Sequence, residues 1–588
     1  MGEDTTRSRS GPWLLALLAL LGPMATLWVR PPAPRPADAP QAEFSAERAW
    51  TDLLSIASGP RAADNTDHRR VRALLSRRLE DLGLEVQVQR VESGLEPETG
   101  ELGAGEPESE PDVLWVENVI GRRRGTGDGK AVLVDVHYDS VEQAPGAGDN
   151  GAAVAATLEA LRAFLLEPAG RNDVIILFSD LEELGMVGTQ HFVDGHEWYE
   201  DVEVVLCFDA RGAGGPSILF QTGSESGGLV RTFADCAPNG FGTSMAPAVY
   251  ERMPNDTDFT VHLGAGREGL NFAFIGGGQA YHTERDRPEA LDPGSLQHHG
   301  ESMLALLRSL HDADLEALLE EEAVEFFPLP LTGLVLLPRS LSRNLSLLLG
   351  VAGLASAFLL MRRAGASPLA VSLSLGKLLL RGLGFVLLCA LFGEVLRMLA
   401  HALLAGSYGE VPRLAGLLAT EAASTGSWWL VLGLWTVSHV ETSPGARQPG
   451  APRTEHLAAL VLGSMLALAL PLLVPGAAHI AWIPAAGLLI GCWLLERRGT
   501  GGWALLLAGL PGICVLMPLV SLLAQVGSVS PFREPLLAAA FSVLLLGALS
   551  PLLAFELPRR IGRAPGLLWA LAGVLVLILR GALDVIGR

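Results

Sequence analysis

The chain has 588 residues, 49% of them hydrophobic, with a mean hydropathy of +0.34. That is too apolar for an ordinary soluble protein and too charged for a bare membrane bundle, so a soluble part joined to a membrane part is expected. A net charge of -21 argues against a nucleic-acid partner, because phosphate binding needs clustered cations.

Residues 12–29 form an apolar run behind Arg7 and Arg9. The run is long for the core of a cleaved signal, and no clear small-x-small site follows it, so a retained membrane anchor is expected. Residues 31–41 are proline-rich and read as a stiff spacer, which makes 1–41 an anchor-and-spacer segment. Residues 42–330 hold most of the acidity and read as one α/β domain, a mixed central sheet flanked by helices. The apolar runs 131–136, 174–179 and 202–208 predict buried strands. The periodic stretches 71–84 and 152–166 predict helices, and the Gly-rich acidic piece 92–112 predicts an exposed loop.

Residues 331–588 read as an all-α membrane domain in contact with the lipid bilayer. Eight spans are expected, near 344–361, 380–404, 415–439, 456–475, 478–495, 501–525, 535–556 and 565–584. Arg362-Arg363, Arg447 with Arg453, Arg497-Arg498, and Arg559-Arg560 with Arg563 fall in alternate loops. With Arg7 and Arg9 on the cytoplasmic side, that pattern puts the 42–330 domain outside the cytoplasm. Lys130 and Lys377 are the only lysines among many arginines, a composition typical of high-GC bacterial genomes. The expectation is a bacterial inner membrane with the domain in the periplasm, or a lumenal domain in a eukaryote. Glu394, Arg397 and His401 share one helical face of the second span. They read as an ion pair with an interfacial histidine, or else as a transport or substrate-guiding group.

Of the five cysteines, Cys389, Cys492 and Cys514 lie in apolar spans and read as small hydrophobes. Cys207 and Cys236 allow a disulfide that sequence alone does not establish. No Cys-x-x-Cys pair points to a thiolate metal site.

The chemistry concentrates in 134–286. His137 ends an apolar run, Asp149 sits in a glycine-rich turn before a helical pattern, and Glu182-Glu183, Asp209 and His282 also follow strand-like runs. Two imidazoles and several carboxylates at strand ends form a ligand set for two zinc ions, with one carboxylate left over as a base. Asp139 is spaced to orient the His137 ring. Adjacent side chains diverge, so one of Glu182 and Glu183 can bind metal while the other faces the water. The hexapeptide 146–151 also fits the dinucleotide pattern G-x-G-x-x-G, but Asp149 would set a negative charge against the phosphates. His191, His196, His262, His298 and His299 read as ordinary surface or core histidines.

With His137-x-Asp139, Gly148-Asp149-Asn150-Gly151, Glu182-Glu183, Asp209 and Tyr281-His282-Thr283 in this order, the chain resembles the dizinc peptidases of clan MH. These include secreted leucine aminopeptidases and glutamate carboxypeptidase. Through Asn255–Phe259 as well, it is similar to the membrane-bound branch of endoplasmic-reticulum and vacuolar metallopeptidases. The resemblance implies an exopeptidase, of aminopeptidase type, acting on peptides with two zinc ions per chain. His137 and Asp209 would bind one zinc, Glu183 and His282 the other, and Asp149 both. Glu182 would be the general base, and Tyr281 would help polarise the scissile carbonyl. Asp209 departs from the membrane branch, which often has Glu there. Arg211 is unusual; it is expected to pair with a surface acid, the alternative being a substrate carboxylate. A zinc-dependent glutaminyl cyclase, or a non-catalytic sensor or scaffold on a transporter-like bundle, are the other readings.

Overall fold

The computed structural model describes residues 30–95, 113–127, 129–250, 255–329, 333–377, 379 and 454–496. It divides into two compact units, Arg30–Arg339 and a second made of Met1–Val29 with Ser340–Arg588.

In the first unit seven strands form one sheet: β1 Glu85–Glu92, β2 Trp115–Arg123, β3 Ala131–His137, β4 Asp173–Ser179, β5 Val202–Ala210, β6 Ile218–Thr222 and β7 Glu268–Phe274. Their order is β1-β2-β4-β3-β5-β7-β6. The central strands β4, β3, β5 and β7 are parallel, and β1, β2 and β6 join antiparallel at the edges. Every residue of β3 and β4 is buried, which is why both strands read as unbroken apolar runs. Alternate residues feed opposite layers. Val132, Val134 and Val136 join Val204, Leu206 and Phe208 on one face, while Ala131 and Leu133 join Val205 and Cys207 on the other. The three expected strands lie at Ala131–His137, Asp173–Ser179 and Val202–Ala210, and the two expected helices at Thr66–Asp81 and Ala153–Phe164.

Residues 31–41, expected as a spacer, run along the first unit. The Arg35 and Ala46 N–H groups both donate to Gln297 Oε1, at 2.9 and 2.8 Å, and Ser45 Oγ donates to the Arg35 and Pro36 carbonyls. Beyond residue 95 the acidic loop 92–112 lies outside the described residues. Cys207 and Cys236 are both free thiols, Cys207 in β5 and Cys236 at the end of the helix Gly227–Cys236.

Gln297 belongs to the long helix Pro293–Leu310, capped by Asp292 and buried over most of its length. Its two histidines are core groups. His298 Nδ1 accepts from the Ser217 N–H at 3.0 Å and its Nε2 donates to the Asn239 carbonyl at 2.8 Å. His299 Nδ1 meets Ser217 Oγ at 2.7 Å, and its ring packs edge-on against Phe208 and Phe274. Burial lowers His298 to about 4 and His299 to about 3. Both stay neutral when folded, whereas the unfolded chain takes up protons near 6.5. As pH falls from about 6.5 to 4, the unfolded state binds more protons and stability is lost. A depression of this size at His298 is worth on the order of 3 kcal/mol. As pH falls through this window, metal-free wild-type protein should lose melting temperature relative to His299→Gln. Equal slopes in the two proteins would refute the assignment.

In the second unit the helices Arg339–Arg363, Thr454–Leu473 and Ala478–Glu496 are described. They approach through small residues: Ser346 Oγ donates to the Ala467 carbonyl, and Gly350 and Gly353 face Leu468 and Ser464. Trp482 and Trp493 donate their indole N–H groups to Ser342 and Ser356. Among the described residues only Arg339–Arg363 is long and apolar enough to cross a membrane. The expected anchor at 12–29 and the expected spans at 380–404, 415–439, 501–525, 535–556 and 565–584 lie outside the described residues, as do Glu394, Arg397 and His401.

Candidate metal centre

The parallel strands aim their carboxyl ends at one point, beside the place where the chain crosses from β4 to β5 on the other side of β3. That is where open α/β sheets put their sites. His137 is the last residue of β3 and continues the face of Leu133 and Asp135. Asp209, near the end of β5, lies on the same face, and His137 Nε2 stands 3.6 Å from Asp209 Oδ1.

Asp149 comes from the turn between β3 and the helix Ala153–Phe164. Gly146 adopts a left-handed conformation there (φ 62°), and a Cβ on Gly148 would collide with the Gly212 carbonyl. Two charged residues hold this turn. Asp286 accepts from the Gly148 and Asp149 N–H groups at 2.7 and 3.0 Å. Arg61, fully buried, donates to the Tyr138, Pro145 and Gly146 carbonyls. The result places one Asp149 oxygen 3.2 Å from His137 Nε2 and the other 3.3 Å from His282 Nε2.

Glu182 and Glu183 follow β4. Asp139 touches three parts of the site: the His137 Nδ1 and the N–H groups of Glu182 and Glu183, each at 3.2 Å. Below the turn, Asp180 accepts from Glu117 N–H and Leu181 N–H and meets His68 Nε2 at 2.7 Å. The two glutamates diverge: Glu183 Oε2 lies 2.9 Å from His282 Nε2, while Glu182 belongs to neither of two clusters of ligand atoms. Those clusters are His137–Asp149–Asp209 and Asp149–Glu183–His282, with the ligand atoms of each within 4.8 Å of one another. Tyr281 stacks on His282 with ring centroids 3.8 Å apart.

A metal fits this arrangement. His137 Nε2, His282 Nε2 and Glu183 Oε1 are buried with no hydrogen-bond partner among the described residues, although carboxylates stand close by. Zinc–ligand lengths of about 2.0–2.2 Å put neighbouring ligand atoms about 3.3–3.6 Å apart on a tetrahedron, close to most of the separations here. Imidazole nitrogen with carboxylate oxygen is a zinc donor set.

The fields are strong. Burial opposes charge on both histidines, yet Glu182, Asp139, Asp149 and Asp209 hold His137 well above its usual range, and Asp149 and Glu183 raise His282 to about 10. Burial also opposes the Asp149 charge, but the two imidazoles draw Asp149 down to about 2. Burial, then Asp149, pushes Glu183 up to about 7. Burial, with Asp258, Asp209 and Asp149, lifts Glu182 well above the carboxylate range against the pull of His137. A site with these proton affinities must exchange protons for metal as it loads.

Two residues inward on the same face, Asp135, His262 and Cys207 form another buried cluster. His262 Nε2 meets Asp135 Oδ2 at 2.9 Å and Thr189 donates to the same oxygen, so this histidine is a paired core group. Sequence reading missed Arg61, Asp286 and Asp180. Each acts through backbone groups of a loop, and no spacing rule marks such a contact. Arg61 has a measurable consequence. Its loss leaves three carbonyls and a buried acid cluster without their cation, so Arg61→Met should destabilise the unit by about 3–5 kcal/mol and weaken zinc binding. Wild-type melting temperature and zinc affinity in that variant would exclude this role.

Residues 118–307 match the family model for Peptidase family M28. The chain carries an M28 peptidase domain. The M28 domain has curated relatives in several eukaryotes. Human endoplasmic reticulum metallopeptidase 1 is 34% identical over 191 residues, covering 32% of this chain and 21% of the relative. A putative endoplasmic reticulum metallopeptidase 1-A of Caenorhabditis elegans is 29% identical over 281 residues, 46% of this chain and 31% of the relative. A vacuolar membrane protease of Candida albicans is 30% identical over 261 residues, 43% of this chain and 29% of the relative. The chain thus spans less than a third of the length of these relatives. A solved zinc aminopeptidase from Bacillus subtilis is 17% identical, covering 47% of this chain and 97% of its own, with a TM-score of 0.37.

Proposed function

We propose that the M28 domain is a membrane-anchored, zinc-dependent exopeptidase of aminopeptidase type. The observation that carries this reading is the pair of ligand clusters sharing Asp149, with Glu182 beside them and in neither. His137 and Asp209 would hold one zinc ion, Glu183 and His282 a second, and Asp149 both. Bound there, the two ions would supply Lewis acidity to the attacking water and the scissile carbonyl.

The chain's own residues do the rest. Asp139 orients His137 by accepting from its Nδ1 and fixes the Glu182-Glu183 turn by accepting from both N–H groups. Glu182 takes the proton of the attacking water on its carboxylate and delivers it to the nitrogen of the departing amine. A desolvated, acid-rich surrounding supports that role, because a base must keep its proton until the C–N bond breaks. Tyr281, stacked on His282, donates its hydroxyl to the carbonyl oxygen as negative charge builds there.

The apolar helix Arg339–Arg363, directly after the peptidase unit, supports membrane attachment, as do relatives named for the endoplasmic reticulum and the vacuolar membrane. The full proposal is an N-terminal anchor at 1–41, an extracytoplasmic peptidase domain at 42–330 and about eight spans in 331–588, in a bacterial inner membrane. Full-length protein in detergent, loaded with zinc, should cleave peptides with a free α-amine and spare N-acetylated ones. Chelation should abolish the cleavage and added zinc restore it. Ammonia release from N-terminal glutamine without peptide cleavage would replace this reading with a cyclase.

A further inference from the structure

Arg211 belongs to neither ligand cluster, yet it lies at their rim. Its N–H donates to the Phe274 carbonyl, which ties the residues after β5 to the end of β7. Its guanidinium carbon lies 5.1 Å from the centre of the Tyr281 ring, and Tyr281 in turn stacks on His282. The side chain is half-buried. Among the described residues no carboxylate forms an ion pair with it, and its buried Nε–H has no hydrogen-bond partner. The expected surface acid is therefore absent from the described residues.

A guanidinium is charged at all physiological pH and carries five donors in a rigid fork. Stacking on Tyr281 orients that fork and consumes none of its donors. Asp209 does not neutralise Arg211: its Oδ1 takes the Ala210 N–H at 2.6 Å and faces His137. Zinc on Asp209 would leave the arginine with still less compensation.

We propose that Arg211 binds a carboxylate of the substrate, so the enzyme prefers peptides that present an anion near the scissile bond. The proposal rests on the peptidase reading of the site. Two carboxylates have this chemistry: the C-terminal carboxylate of a dipeptide and an acidic side chain at the residue before the bond. A fork of parallel donors suits either, bidentate, better than it suits an amide.

Binding separates this proposal from turnover. Full-length Glu182→Gln protein, zinc-loaded, is titrated calorimetrically with Ala-Leu against Ala-Leu amide, and with Glu-Leu amide against Gln-Leu amide. At least one acid should bind ten times more tightly than its neutral partner, and the pair showing the gap identifies the carboxylate. Adding Arg211→Gln should close the gap, while Arg211→Lys should keep part of it at equal zinc content. Equal affinities within both pairs, no binding of either acid, or a gap that survives Arg211→Gln would each overturn the proposal. In wild-type turnover the same acid-to-neutral ratio should appear in KM. Failure of wild-type protein to cleave any peptide would overturn the peptidase reading alone, because the binding comparison needs no turnover.

Discussion

Glu182→Gln should leave zinc content unchanged and lower kcat by about 10²–10⁴-fold, the usual contribution of a positioned general base. Three observations set that expectation. The side chain is absent from both ligand clusters, so an isosteric amide removes no ligand. Its N–H is fixed by Asp139 at 3.2 Å, and the same carboxylate orients His137, so the base and one ligand share a single positioning group. Burial, with Asp258, Asp209 and Asp149, raises its affinity for a proton against the pull of His137, so a proton taken from the water is held until the amine leaves. A glutamine has no site for that proton. The measurement pairs steady-state kinetics on a free-amine peptide with metal analysis of the same sample. Full turnover would remove Glu182 from the mechanism, whereas lost zinc would make it a ligand. The companion substitution Asp139→Ala, by contrast, disturbs a ligand and the base together, so its loss would not separate the two roles.

Most of the candidate ligands were legible in the sequence because they stand at or after the ends of buried strands, with Asp149 marked instead by its glycine-rich turn. Parallel strands covered on both faces are apolar from end to end, so the polar residue where each run stops is conspicuous. His137 after 131–136 and Asp209 after 202–208 are the clearest cases. The edge strands were not legible. β1 is Glu85–Glu92, with half of its residues exposed, and its alternation of charge and valine carries little hydrophobic signal. β6 is five residues long and borrows its register from β7 across an irregularity. The helix Pro293–Leu310 buries Gln297, His298, His299, Glu301 and Ser302 through partners distant in sequence, which masks its periodicity. Its histidines read as ordinary surface or core groups, and the sequence does not disclose the pair of Ser217 contacts that holds both in the core. Arg61 and Asp286 were hidden for a related reason: they satisfy backbone groups of the 146–149 turn, and backbone groups look alike in every sequence.

Asp149→Ala should have the widest effect of any single ligand substitution, because both clusters pass through this one side chain. His282→Ala removes one donor from one cluster, leaving His137, Asp149 and Asp209 for the other, so about one zinc per chain should remain. Asp149→Ala removes a donor from each cluster. It also leaves His137 Nε2 and His282 Nε2 without the carboxylate oxygens that stand 3.2 and 3.3 Å away. Metal analysis after exhaustive dialysis should therefore rank the proteins: wild type near two zinc ions, His282→Ala near one, Asp149→Ala near none, with peptidase activity lost in both variants. Electrostatics argues for the same order. Asp149 is the carboxylate drawn down to about 2 by two imidazoles, so it remains ionised where its neighbours Glu182 and Glu183 tend to hold protons. It is thus available to a cation without first losing a proton, unlike the two glutamates. If Asp149→Ala retained two zinc ions, neither cluster would depend on the shared carboxylate, and the two-metal proposal would lose its central support. If His282→Ala lost both ions while Asp149→Ala kept one, the shared carboxylate would not be what couples the two clusters.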